Sequence, residues 1–309
     1  MTSQILTKQN RIGNISLISI LCILLMPIML FFSESIKRGA MLGLDLSLGT
    51  IIPTLFPFFI LSDLWVSYAT IKGGIISKAY GRLFGVSGSS LPAYLLGSLC
   101  GFPLGIKAGV GLYERGYISK DEMERLSGFA NNPSAAFVIS GIGAGLYKDI
   151  AVGTRLYIAV LISSFLVGLL FRSKGDFFKN NDVISKQRFD LIKSIQSAGF
   201  SSLTVSCYIV FFSSVIGLLT EITKNPLILA IASSFLEITN ASSISADLVI
   251  SDPYVKYVIT AFALGFSGLS VHMQVFALLP AEISKSKYLL MKLIQGILCS
   301  FITFLFMLI

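Results

Sequence analysis

The chain has 309 residues, of which 54% are hydrophobic and only 13% charged, with a mean hydropathy of +0.81. Soluble domains carry about 25% charged residues, so this composition excludes an ordinary water-soluble fold and points to a lipid bilayer as the surrounding medium. The net charge of +8 reads as cytoplasmic loops rich in Lys and Arg. No nucleic-acid partner is expected, because no basic stripe with interleaved aromatics lies outside the apolar runs.

A spanning helix needs roughly 20 apolar residues. The first such run, Ile12–Ser33, follows Lys8 and Arg11. Its long apolar core and the absence of a small-x-small site in Ile28–Ser35 predict a retained helix over Gly13–Phe32 rather than a cleaved leader. Gly39–Trp65 is a second apolar segment, kinked by Pro53 and Pro57, with Asp45 and Asp63 as interfacial caps. A basic loop holding Lys72, Lys78 and Arg82 follows. Ser89–Leu112 carries Pro92, Gly97, Gly101, Pro103 and Gly105, too many breakers for one smooth helix. Ser119 and Glu122 form a capping-box pattern, which predicts a short surface helix over Ser119–Leu126. Ser127–Tyr147 and Ala151–Phe171 are apolar segments joined by a tight turn at Lys148-Asp149.

Arg172–Lys193 is the long polar stretch and divides the chain. The domains expected are 1–38, an N-terminal helix and turn; 39–171, a first half; 172–193, a basic cytoplasmic linker; and 194–309, a second half. The second half contains Ser194–Leu219, Pro226–Leu248, Pro253–Ala281 and Tyr288–Ile309.

Charge decides between topologies. If every segment spans, the linker falls outside and its six basic residues violate the positive-inside rule. If Ser89–Leu112 and Pro226–Leu248 are re-entrant hairpins, the N-terminus, Lys72–Arg82, Tyr113–Arg125, the linker and Lys285–Lys292 all lie inside. Lys37, Arg38, Lys148, Arg155, Lys224 and Lys256 are then outside, and the C-terminus is outside as well. The fold class expected is an all-α polytopic protein of the cell membrane, with about seven spanning helices and two re-entrant broken hairpins. The hairpins enter from opposite faces, which makes an inverted-topology repeat.

Polar breaks fall at matching places in the two halves. Pro103 lies as far before Asn240 as Gly128-Phe129 does before Gly265-Phe266. Irregular backbone at membrane depth survives where protein or a water-filled cavity surrounds it. Gly101, Pro103, Gly105, Pro133, Gly265 and Gly268 are the structural breaks. The candidate substrate- or ion-binding residues are Lys107, Asn131, Asn132, Ser134, Glu237, Thr239, Asn240, Ser267 and His272. Each has a bland reading beside the functional one. Lys107 either snorkels to the interface or faces a cavity. Glu237 serves either a cavity or an internal hydrogen bond. The Asn, Ser and Thr groups suit recognition and helix capping equally. His272 either binds or packs.

No catalytic residue and no enzyme activity are expected. Gly265-Phe266-Ser267-Gly268 would need a base on another helix to activate its serine, and His272 lies on the same stretch. No P-loop or HExxH element occurs. With one histidine in the chain, and Cys22, Cys100, Cys207 and Cys299 scattered in apolar runs as small buried hydrophobes, neither a metal nor another cofactor is expected.

Four motifs carry a family resemblance. They are Pro53-Thr54-Leu55-Phe56-Pro57-Phe58-Phe59, Gly101-Phe102-Pro103-Leu104-Gly105-Ile106-Lys107, Ser127-Gly128-Phe129-Ala130-Asn131-Asn132-Pro133-Ser134 and Ser267-Gly268-Leu269-Ser270-Val271-His272-Met273-Gln274-Val275. In order and spacing, from about Gly39 onward, the chain resembles the sporulation integral membrane protein YlbJ family of the nucleoside-recognition or Gate group. The resemblance implies a membrane protein needed during sporulation. It also implies kinship with modules of nucleoside and ferrous-iron transporters, and allows a homo-oligomer or sporulation membrane partners. It names no substrate.

The function expected is permease-like transport of a small polar solute or ion, by movement of one half against the other. The alternative is a structural or assembly protein required for the spore cortex.

Overall fold

The computed structural model describes residues 23, 26–68, 70–71, 74–173, 183–184 and 189–308. Most of the expected first helix and of the basic linker lies outside the described residues, although residues 26–31 are helical. Nearly everything described is helix.

Helix α1 (Ser33–Leu46) passes through a π-helical turn at Ser47–Ile51 into α2 (Ile52–Tyr68). The irregular turn immediately precedes Pro53, whose ring removes a backbone donor. Helix α3 (Ile75–Phe84) ends at Gly85, whose φ of +65° places it in the left-handed region. A strand pair, β1 (Thr70–Ile71) with β2 (Val183–Ile184), is antiparallel.

The broken segment Ser89–Leu112 is a helical hairpin: α4 (Leu91–Leu99), a break at 100–103, and α5 (Leu104–Glu114). The two arms and the α6 terminus meet at glycines. A Cβ at either Gly97 or Gly105 would collide with the Ala130 carbonyl. Helix α6 (Lys120–Phe129) carries the expected capping box, with Glu122 Oε2 accepting from the Ser119 N–H at 2.7 Å. It is not a surface helix. Met123 and Leu126 are fully buried, and even Glu122, Glu124 and Arg125 are buried. Their partners explain this: Glu122 accepts from the Ser87 N–H, Arg125 donates to the Gly85 carbonyl at 2.7 Å, and Glu124 pairs with Lys287 at 3.2 Å.

The chain breaks again after α6. It resumes as α7 (Ala136–Tyr147), which is π-helical throughout, then turns at Lys148 and Asp149 into α8 (Ile150–Leu170). Asp149 caps α8 by accepting from the Ala151 N–H at 2.7 Å.

The long α9 (Leu191–Ile222) leads to a hairpin of α10 (Pro226–Leu236) and α11 (Ile238–Ala246), broken at Glu237. An interrupted helix follows, α12 (Tyr254–Phe266) and α13 (Gly268–Leu278), broken at Ser267. The chain ends in α14 (Lys285–Met307).

Contacts define two ends of the body. At one end Gly85 abuts Ser173 and holds Arg125, while Tyr113 donates to Glu282 at 3.0 Å. At the other, Tyr147 donates to the Lys256 carbonyl at 3.1 Å, and Tyr254 packs on Phe304. The first hairpin opens at the former end. The second opens at the latter, where Leu227, Leu248 and Val255 share a cluster.

Four helices among the described residues are long and apolar enough to span a membrane: 150–170, 191–222, 254–278 across its break, and 285–307. Ala136–Tyr147 and Pro226–Leu236 are apolar but shorter. Phe200, Phe211, Ile231, Ile297 and Phe301 stand exposed on the outside of the bundle, the pattern of a hydrocarbon-facing surface. Cys207 joins them. It is exposed rather than buried, whereas Cys299 is fully buried.

Candidate functional site

Three of the four breaks line one cavity, and α13, which follows the fourth, completes its wall. The cavity encloses about 480 Å³ of space not occupied by atoms, its opening included. Each half contributes its hairpin tip and its interrupted helix: Gly101, Phe102 and Ser134 from the first, Glu237, Ile238, Thr239, Ser270, Val271 and Gln274 from the second. Ile51 and Leu55, with Val205 and Ile209 of α9, close an apolar side.

Glycine at two of the breaks permits the convergence. Gly101 has φ +91°, and a Cβ there would sit 2.7 Å from the Ser134 backbone nitrogen. Gly268 has φ +66°, and a Cβ there would meet the Leu236 carbonyl at 3.0 Å and the Glu237 nitrogen at 3.2 Å. In each half, therefore, the glycine lets hairpin tip and interrupted helix touch backbone to backbone. Ser267 precedes Gly268 with φ +81°, a conformation side chains rarely adopt.

Glu237 is the single charged residue among those lining the cavity. It is 3% exposed, caps α11, and accepts at Oε2 from both the Asn240 N–H and Asn240 Nδ2, each at 2.8 Å. Asn240 in turn donates to Ser213 Oγ of α9 at 2.6 Å. None of the salt bridges among the described residues includes Glu237. Ser134 Oγ accepts from the Phe137 N–H at 3.2 Å. Ser270 Oγ and Gln274 Oε1 are buried in the cavity wall with no hydrogen-bond partner. An unpaired buried polar atom costs about 1–3 kcal/mol, and these two lie on residues that line the cavity.

The sequence-derived candidates divide into three groups. Ser134, Glu237 and Thr239 line the cavity, and Asn240 supports Glu237. Lys107 is elsewhere: its ammonium lies 3.5 Å from Asp63 and 3.0 Å from Ser197 Oγ. Asp63 is therefore an ion-pair partner rather than only a helix cap. Ser267 is fully buried with an unpartnered hydroxyl, outside the cavity lining.

Asn131, Asn132 and His272 belong to a second buried polar cluster. Lys292 of α14, fully buried, donates to the Asn131 carbonyl at 2.8 Å and to Gln295 Oε1 at 2.7 Å. Gln295 Nε2 donates to Asn132 Oδ1 at 2.7 Å, and Asn132 Nδ2 to the Phe129 carbonyl at 2.9 Å. Tyr288 OH receives Asn131 Nδ2 at 3.2 Å and bonds His272 Nδ1 at 3.0 Å. This cluster closes the open carbonyl end of α6 with a lysine, as expected for a cation at a helix C-terminus.

Sequence reasoning placed Lys292 with the cytoplasmic loop and passed over Ser270, Gln274, Tyr288 and Gln295 as site residues. The signals existed. Ser270 and Gln274 stand one helical turn apart. Tyr288, Lys292, Gln295, Cys299 and Thr303 form a stripe at helical spacing on an otherwise apolar helix.

Over 302 aligned residues the chain is 27% identical to the sporulation integral membrane protein YlbJ of Bacillus subtilis (strain 168), covering 82% of this chain and 73% of that protein. No protein-family model matches the chain, and no solved structure matches it.

Proposed function

We propose, on the premise that this chain belongs to the YlbJ family of sporulation integral membrane proteins, that it is a permease-like carrier of a small polar solute or ion and not an enzyme. One observation carries the reading: three helix breaks and the helix after the fourth line one cavity, in whose wall Ser270 Oγ and Gln274 Oε1 have no partner among the described residues. Discontinuous helices meeting at a central cavity are the recurrent architecture of secondary transporters. The opposed entry of the two hairpins supports an inverted-topology repeat, and with it the expected count of about seven spans plus two re-entrant hairpins. The basic end, with the N-terminus, faces the cytoplasm, and the C-terminus lies outside.

Transport is tested with purified protein in liposomes, by uptake of labelled polar solutes and by ion-gradient dissipation. Flux that is lost in Glu237→Gln and retained in Asp252→Asn is the expected result. Absence of any flux from folded protein that still restores sporulation overturns it in favour of a structural role. Topology is tested with single cysteines at Glu114 and Asp252, both exposed. Labelling from opposite sides is expected, and labelling of both from one side sinks the repeat.

A further inference from the structure

The chemistry of the cavity wall narrows the ligand class. The Glu237 carboxylate is the one charged group of the wall and accepts only; beside it stand the Gln274 amide and the Ser270 hydroxyl, which can both donate and accept. No Lys, Arg or His is among the lining residues. An anionic ligand would meet a carboxylate with nothing to neutralise it, a like-charge contact that disfavours binding. A neutral ligand would leave a buried carboxylate without a counter-charge, which is costly. A cation satisfies both requirements.

The remaining wall separates inorganic from organic cations. Hard metal ions take about six or more oxygen ligands in a tight shell. Here Phe102 and Phe137, with Ile51, Leu55, Val205 and Ile209, surround much of the space. An apolar wall with a few convergent acceptors fits a molecule having an ammonium head and an apolar body.

We infer that the cavity binds a small organic ammonium. Its N–H donors engage Glu237, Gln274 Oε1 and Ser270, and its carbon body lies against the apolar wall of α2 and α9. The inference rests on the reading of this cavity as a solute site.

A matched set of four-carbon probes tests it: n-butylammonium chloride, n-butanol and sodium butyrate, with sodium chloride at equal ionic strength. Purified full-length chain is melted in each, following helix content. Butylammonium alone gives a saturable rise in Tm. Glu237→Gln, which keeps an acceptor for the Asn240 N–H, weakens its apparent affinity about tenfold or more. Gln274→Leu removes an atom that has no partner, so the variant folds, and it too weakens the response. The inference is overturned if butanol, butyrate or sodium produces the same saturable shift. It is also overturned if butylammonium produces none, or if folded Glu237→Gln responds like the parent.

Flux keeps the two readings apart. Butylammonium binding without any flux retires transport and leaves the ligand class standing. Flux of a neutral or anionic solute without ammonium binding retires the ligand class and leaves transport standing.

Discussion

Two polar regions lie inside this apolar chain, and they differ in what surrounds them. The cluster around Lys292 spends its hydrogen-bonding capacity largely on itself: lysine to Asn131 and Gln295, Gln295 to Asn132, Asn132 to the end of α6, Tyr288 to His272 and Asn131. Its unpartnered atoms are Asn131 Oδ1 and His272 Nε2. The region at Glu237 leaves two such atoms as well, Ser270 Oγ and Gln274 Oε1, but on residues that line a cavity. Its wall holds hydroxyl and amide oxygens with nothing to bind, beside a carboxylate with no salt bridge. Polarity within a membrane protein therefore does not by itself mark a site. The distinction is whether the polar groups line a cavity, as Glu237 does, or are enclosed by protein, as Lys292 is.

Mutation can break this contrast. The largest effect is expected at Lys292→Met, which strands the Asn131 carbonyl and Gln295 Oε1 in the core and costs about 3 kcal/mol or more. A large fall in Tm checks this. A Lys292→Met protein as stable as the parent would erase the scaffold half of the comparison. Next comes Gln274→Leu, with the opposite sign. Removing an unsatisfied buried oxygen should raise the stability of ligand-free protein by about 1 kcal/mol, seen as a higher Tm. A loss there would mean that Gln274 supports the fold rather than a ligand. The smallest effect is expected at Lys287→Met, whose partly exposed pair with Glu124 is worth about 0.5 kcal/mol and weakens with salt. Melting at low and high ionic strength measures it.

The sequence made the breaks legible because glycine, proline and short polar side chains disrupt helices for local reasons. Pro103, Pro133 and Gly268 announce such places without tertiary information. Glu237 was legible as a short charged side chain far from any interface. Lys292 was not, because a lysine near a helix start looks like an interfacial residue until the neighbouring α6 terminus is known to lie against it. The capping box at Ser119 was legible, but not its burial, which depends on Ser87, Gly85 and Lys287 arriving from distant segments. The π-helical form of α7 was invisible, since nothing in Ala136–Tyr147 distinguishes that hydrogen-bond register from the usual one.

The Lys292 cluster stitches first-half Asn131 and Asn132 to second-half Tyr288, Lys292 and Gln295. Separating the halves there would tear several directional bonds at once. On the opposite wall of the cavity Ile51 and Leu55 pack on Val205 and Ile209, and further along α2 Asp63 accepts from Ser194 of α9 at 3.2 Å. Dispersion contacts re-form after sliding, while a hydrogen bond broken in a dry interior finds no water to replace it. Relative movement of the two sides would therefore have to break the Lys292 bonds on one side, and on the other the bond between Ser194 of α9 and Asp63 of α2.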